Sequence, residues 1–215
     1  MPGALLMELD RSAWASELAS EEERLQLNEG FKLLFCPWRT LGTASVAFVS
    51  LNPGRAPDGE DVRVVSDERG NSYLVEKDYT VSPITEQFLA LCRFIRVSPS
   101  QVLTGVAHPF RSSNWNELTQ IQKEAGLAIG QRFWAVALRS NALKLVIVVS
   151  NEAARVAQTA LMARYVSTSE SGWGTTKIEI WEGHGGARVV KLPHLSRFKL
   201  FSRRECEPFL RRALG

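Results

Sequence analysis

Asn52 is followed by Pro53 and Gly54, and the triplet comes directly after an apolar run, Ala44 to Leu51. A side-chain amide in such a place can hold a water molecule in a set orientation. It cannot serve as a strong base, because it does not titrate usefully. Pro53 removes a backbone donor and fixes φ, while Gly54 lets a ligand approach the chain closely. Ser50, Leu51 and the triplet therefore read as the floor of a ligand site, although Asn, Pro and Gly also favour plain turns. His194 follows the last apolar segment by two residues and could donate a hydrogen bond to a developing anion, or simply stand on the surface beside a basic tail. His108 could line the same pocket, or hold structure. Tyr73, Tyr79 and Phe110 could each stack on a flat base, and each also suits core packing. His184, set among Gly183, Gly185 and Gly186, reads as a solvent-exposed turn. No phosphate-binding Gly-Lys-Ser/Thr follows the first apolar run, and neither GxGxxG nor GxSxG occurs.

These residues need elements to hold them. Ala44 to Leu51 and Leu143 to Ser150 are continuous apolar runs of the kind expected for strands buried on both faces. Gln101 to Ala107 reads as another buried strand, and Arg188 to Leu192 as the last. Between them, Pro83 to Arg96 reads as a helix with Ile84, Phe88, Leu91, Cys92 and Ile95 on one face. A second helix is expected from a cap at Asn114 or Asn116 to about Ser140, with Gly126 and Gly130 weakening it or allowing close packing. A third is expected from Glu152 to about Tyr165, opened by Asn151. Ser20-Glu21-Glu22-Glu23 has capping-box spacing, so an N-terminal helix is expected there. Phe31 to Cys36 reads as a short strand or a helix tail. Arg55 to Gly70 reads as a surface loop, Asn71 to Val81 as a small hairpin or lid, Trp173 to Trp181 as an edge strand, and Ser202 to Leu214 as a final helix.

The alternation of strand and helix predicts a three-layer α/β/α domain with a mostly parallel central sheet. Residues 1–215 are expected to form one domain, with 1–30 as a helical appendage. Ligands of such sheets sit beyond the carboxyl ends of the strands. The places to look are thus the exits at Asn52, His108, Asn151 and His194.

The chain has 215 residues and a net charge of +3, with 45% hydrophobic residues, which suits a domain that folds without staples. Basic residues gather after Lys191, a composition that suits phosphate contacts or a solvated C-terminal helix. Cys36, Cys92 and Cys206 are far apart and form no CxxC pair, so no zinc or iron–sulfur centre is expected. Free thiols, with no leader and no membrane-spanning run, predict a cytoplasmic protein without a membrane partner. No metal or organic cofactor is expected.

Two segments together resemble the uracil-DNA glycosylase superfamily. Ser50-Leu51-Asn52-Pro53-Gly54 is similar to its first motif, most closely the Gly-hydrophobe-Asn-Pro-Gly form of the mismatch-specific and single-strand-selective branches. Leu192-Pro193-His194-Leu195-Ser196-Arg197 stands where the second motif is expected. Its Leu195-Ser196-Arg197 matches the Leu-Ser-Arg of the mismatch-specific branch if one residue is deleted. The runs at 101–111 and 143–160 look like the second core strand and the third strand with its helix, so the resemblance spans roughly residues 28 to 205. Ser50 and Leu192 depart from the residues usual at the starts of the two motifs.

The resemblance implies hydrolysis of the N-glycosidic bond of a deaminated or modified base flipped out of DNA, whether single-stranded or mismatched. Asn52 would position the water and His194 would steady the leaving base. Ser50, Leu51, Pro53, Gly54, Tyr73, His108 and Phe110 would line the base pocket, with Tyr73 stacking on the base. Leu195 would wedge into the vacated stack, and Ser196, Arg197 and Lys199 would contact the nucleic acid. The alternative is a nucleic-acid- or nucleotide-binding protein on the same fold with altered chemistry.

Overall fold

A computed structural model of the chain describes residues 10–78, 81–140 and 142–215. Tyr79 lies outside the described residues. The first helix, α1 (Arg11–Arg24), is capped by Asp10, whose carboxylate accepts from the Ser12 N–H at 2.8 Å. The capping-box spacing at Ser20 falls inside a helix already under way. Trp14 and Leu18 of α1 join the same buried cluster as Leu33 and Phe133. The described part of the N-terminal stretch is thus packed into the body through these two side chains.

Gly30, at φ +86, turns the chain into β1 (Phe31–Leu34). Next comes β2 (Val46–Ser50), buried along its whole length as its apolar run predicts. The expected loop at 55–70 contains a strand, β3 (Arg63–Ser66), which pairs in parallel with β1. Its only apolar pair, Val64-Val65, is too short to stand out from polar neighbours. Instead of a hairpin, a short helix follows, α2 (Ser72–Glu76). Then come α3 (Pro83–Phe94), with Pro83 in its first turn, and β4 (Val102–Val106).

Asn114 caps only a single 3-10 turn. The long helix α4 (Gln120–Ala137) begins at Thr119, where Thr119 and Gln122 form a reciprocal capping box. After β5 (Leu145–Val148), Ser150 caps α5 (Asn151–Leu161), which ends at Met162 in the left-handed conformation. The expected tail of this helix is instead an edge strand, β6 (Arg164–Glu170), whose polar, mostly exposed residues give little core signal. β7 (Lys177–Glu182) lies inside the sheet, between β6 and β8 (Arg188–Lys191). The last helix, α6 (Glu207–Leu214), is shorter than expected because two 3-10 turns occupy Leu200–Ser202 and Arg204–Cys206.

Among the described residues the eight strands form one sheet in the order β3-β1-β4-β2-β5-β8-β7-β6. Its centre, β4-β2-β5-β8, is parallel throughout, and antiparallel pairs flank it. One face packs α1, α4 and α5 against Leu33, Ala47, Val49 and Val146. The other packs α2, α3 and α6 against Phe48, Ile147 and Val190. This is a three-layer α/β/α arrangement with a mostly parallel mixed sheet. No helix of the described residues is long and apolar enough to cross a membrane.

Candidate functional site

From β2 the chain runs to β3 and back to β4 on one side, then crosses to β5 and β8 on the other. The order reverses beside β2, and crevices at such reversals, beyond the carboxyl ends of the strands, are where ligands of open α/β sheets bind. Asn52 leaves β2, Ser150 leaves β5 and His194 leaves β8, all on this one edge. Only β5 separates β2 from β8, so at the usual strand spacing the exits of Asn52 and His194 stand about 10 Å apart.

The Asn52 loop is tied to the segment that leaves β4. Asn52 Nδ2 donates to the carbonyls of Pro53 at 3.0 Å and Ser112 at 3.4 Å. Pro53 also accepts from the Ser112 N–H, and Arg111 Nη1 donates to Gly54 O at 2.9 Å. With its N–H groups engaged by carbonyls, the Asn52 amide is fixed in orientation. Its Oδ1 is the atom left to accept a hydrogen bond from a water.

His194 is solvent-exposed by area, yet the fold of chain around it displaces enough water to hold its pKa below the usual 6.5. Its Nδ1 lies 2.7 Å from the Ser196 hydroxyl. When Ser196 donates to Nδ1, the proton of the neutral ring sits on Nε2, and the imidazole presents one N–H donor. Between the two exits, the first turn of α5 opens with the Ser150 cap, where Oγ accepts from Ala153 N–H at 2.9 Å.

Other expected site residues are elsewhere. Tyr73 is a core ring, 4% exposed, packed against Phe35, Phe48 and Phe88, so it offers no open face to a base. Its hydroxyl lies beside Ser50, and burial raises its pKa above the ordinary phenol value. Phe110 is fully buried and bridges to Phe31. His108 is fully buried too, with Nδ1 3.3 Å from Phe110 O and Nε2 3.2 Å from Gln122 O. Burial holds its pKa below the ordinary value. It locks the β4 exit to α4 instead of facing a ligand. Leu195 is fully buried with Leu192 and Leu200, and so is in no position to act as a wedge. Arg197 and Lys199 are exposed, with Lys199 3.8 Å from Glu86. Ser50 is buried, Leu51 and Pro53 carry the turn, and Gly54 faces open space where a Cβ would stand.

A charged cluster that the sequence analysis does not single out joins β1, the end of β3 and α2. Lys32, on β1, is buried and reaches Asp67 at 3.1 Å. Asp67 also accepts from Ser72 Oγ at 2.9 Å and from Arg69 Nε at 2.9 Å. Burial alone would raise the Asp67 pKa, but the hydrogen bonds from Arg69, Lys32 and Ser72 hold it well below the carboxylate range. Burial lowers Lys32, partly offset by Asp67. Glu76, part-buried and bonded to Thr85 Oγ1 at 3.0 Å, is pushed up by burial. The readable signal was a lone Lys in the apolar stretch Phe31 to Cys36. Among the described residues no cluster of His, Cys, Asp and Glu could hold a metal ion. The chain matches no protein-family model, and no curated protein matches it.

Proposed function

We propose that the chain is a divergent DNA glycosylase-like hydrolase that cleaves the N-glycosidic bond of a flipped, deaminated or modified base. The observation that carries this reading is the shared edge: Asn52, with its amide fixed by Pro53 and Ser112, and His194, with Nδ1 beside Ser196, leave parallel strands one strand apart. In this reading Asn52 Oδ1 orients a water that forms a bond to C1′ of the sugar. The electron pair of the breaking bond leaves with the base, the His194 N–H stabilises that anion, and the water's proton passes to the released base. Preorganised donors aimed at developing charge are among the largest contributions to such catalysis. The test is incubation with oligonucleotides carrying uracil, hypoxanthine, xanthine or ethenocytosine. Abasic product is expected on at least one of them. Folded protein that makes none on any would sink the catalytic reading.

The second reading, a nucleic-acid- or nucleotide-binding protein with altered chemistry, is favoured by the burial of Tyr73 and Leu195, which removes the expected stacking ring and wedge. Salt-sensitive DNA binding with no base release would select it.

A further inference from the structure

Past the His194 turn, cations and rings alternate along the C-terminal segment. The Arg203 guanidinium lies over Trp173, 3.3 Å from the ring centroid. Trp173 meets Phe198 at 6.0 Å, and Arg197 lies 5.4 Å from the Phe198 centroid. Trp173 and Phe198 meet edge to face, so Arg197, Phe198, Trp173 and Arg203 form one contiguous cluster that starts three residues after His194. A second cluster adjoins it, with Phe201 edge-on to Phe94 at 5.6 Å and Arg211 5.3 Å over Phe94. The turn between them is pinned to α3: Gln87 Nε2 donates to Ser202 Oγ at 2.7 Å, and Gln87 Oε1 accepts from Phe201 N–H at 2.9 Å. An open groove of about 430 Å³ runs beside this turn, lined in part by Lys77, Arg93 and Phe201.

The charge on this strip is largely unspent within the fold. Its ion pairs join Lys199 to Glu86 and Arg211 to Glu207. Among the described residues none joins Arg197, Arg203 or Arg204 to a carboxylate. All three are exposed, and Trp173, Phe198 and Phe201 are partly so.

We propose that this strip binds single-stranded DNA, as the track along which a strand leaves the Asn52 edge. Sequence-tolerant single-strand binding combines a cationic groove with planar groups on which unpaired bases stack, and an Arg guanidinium held flat is such a plane. A duplex keeps its bases stacked inside and cannot use these planes. An acidic peptide would match the cations but not the rings. The choice of DNA rests on the function proposed above.

The test measures fluorescence anisotropy of the full chain with an unmodified deoxyoligonucleotide of about 15 nucleotides, near the upper site size of single-strand-binding modules. Affinity should fall steeply with salt. Arg203→Ala should weaken binding about tenfold, as loss of a stacking group does, and flatten the log–log salt slope by about 0.7. Arg203→Lys should restore the slope but not the affinity, since it returns the charge without the plane. Trp173→Leu, with folding checked by thermal unfolding, should weaken binding to a similar extent but leave the salt slope unchanged, because it removes a plane and no charge. Arg155→Ala, on the opposite face, should change little. Unchanged binding in Arg203→Ala, full recovery with Arg203→Lys, or equal competition by polyglutamate would each overturn the proposal. The unmodified strand separates the two ideas. Base release with normal strand binding by the Arg203 variants overturns the strip alone, while strip-dependent binding without base release on any modified strand overturns only the catalysis.

Discussion

Asn52 earns its orientation from two carbonyls, and that fact separates two substitutions that look alike on paper. Asn52→Ala removes two hydrogen bonds, to Pro53 O and Ser112 O, and should cost about 1 kcal/mol of stability or a little more. Asn52→Asp keeps the shape but turns a donor into an acceptor facing the same carbonyls. It should therefore unfold at a lower temperature than Asn52→Ala, although a carboxylate is the better base. Thermal unfolding of the two variants checks this, and an aspartate variant more stable than the alanine one would contradict the fixed amide. Both should lose base release. His194 carries a separate prediction. Its ionisation lies below pH 6.5, so base release should be flat through neutral pH, with any His194 limb confined to the acid side and absent in His194→Gln. A limb centred above pH 6.5 that vanishes in that variant would contradict a neutral donor. At this scale the sequence read positions better than environments. The strand exits that carry Asn52 and His194 were legible because turn chemistry at a strand exit is local. Tyr73, His108, Phe110 and Leu195 were misread because each is apolar or amphipathic, and only the packing of distant elements decides whether such a ring faces a ligand or a core.

The elements that hold Asn52 depend on one close approach. A Cβ on Gly130 of α4 would stand 1.7 Å from Ala107 O, and one on Gly126 would stand 2.2 Å from the His108 ring. These two glycines let α4 lie directly on the β4 exit, from which Ser112 reaches back to Asn52. Alanine gains about 1 kcal/mol over glycine in a helix interior. Overpacking of this kind costs about 1–3 kcal/mol or more, since the Ala107 contact is to backbone that cannot swing aside. The clash should win, so Gly130→Ala should lower the urea midpoint, and base release should fall with it as the β4 exit shifts. An unchanged midpoint would mean that α4 can slide, and that Asn52 does not depend on its seat. The pair of glycines was visible in the sequence as close packing or weakness, without its partner. The strands buried on both faces, β2 and β5, were legible from continuous apolar runs. β3 and β6 were not, because one has two apolar residues and the other faces solvent, so neither carries the periodicity that marks a core element.

Across the whole molecule, the buried Lys32 and Asp67 join the outer strand β3 and the α2 turn to β1, so global stability should depend on their charge state. The signs differ by group. Asp67 sits well below its ordinary 3.8, so its contribution is complete above pH 3.8 and is lost as pH falls through the folded value. Glu76 sits above its ordinary 4.5, so its contribution is present below that pH and is lost as pH rises through the folded value. Lys32 sits below its ordinary 10.5, so its charging opposes folding, and stability should recover as pH rises from its folded value towards 10.5. Asp67→Asn should remove the Asp67 part of the acid limb. It should also cost about 3–5 kcal/mol near neutral pH, the usual loss when one partner of a buried pair is left charged and alone. Replacing both partners, as Lys32→Met with Asp67→Asn, leaves neither charge of this pair behind and should return much of that loss, because a buried pair is often worth little against apolar packing. Urea unfolding of the wild type, the single variant and the double variant over a pH series decides it. A double variant no more stable than Asp67→Asn would mean that Arg69 and Ser72, and not the Lys32 charge, set the worth of Asp67.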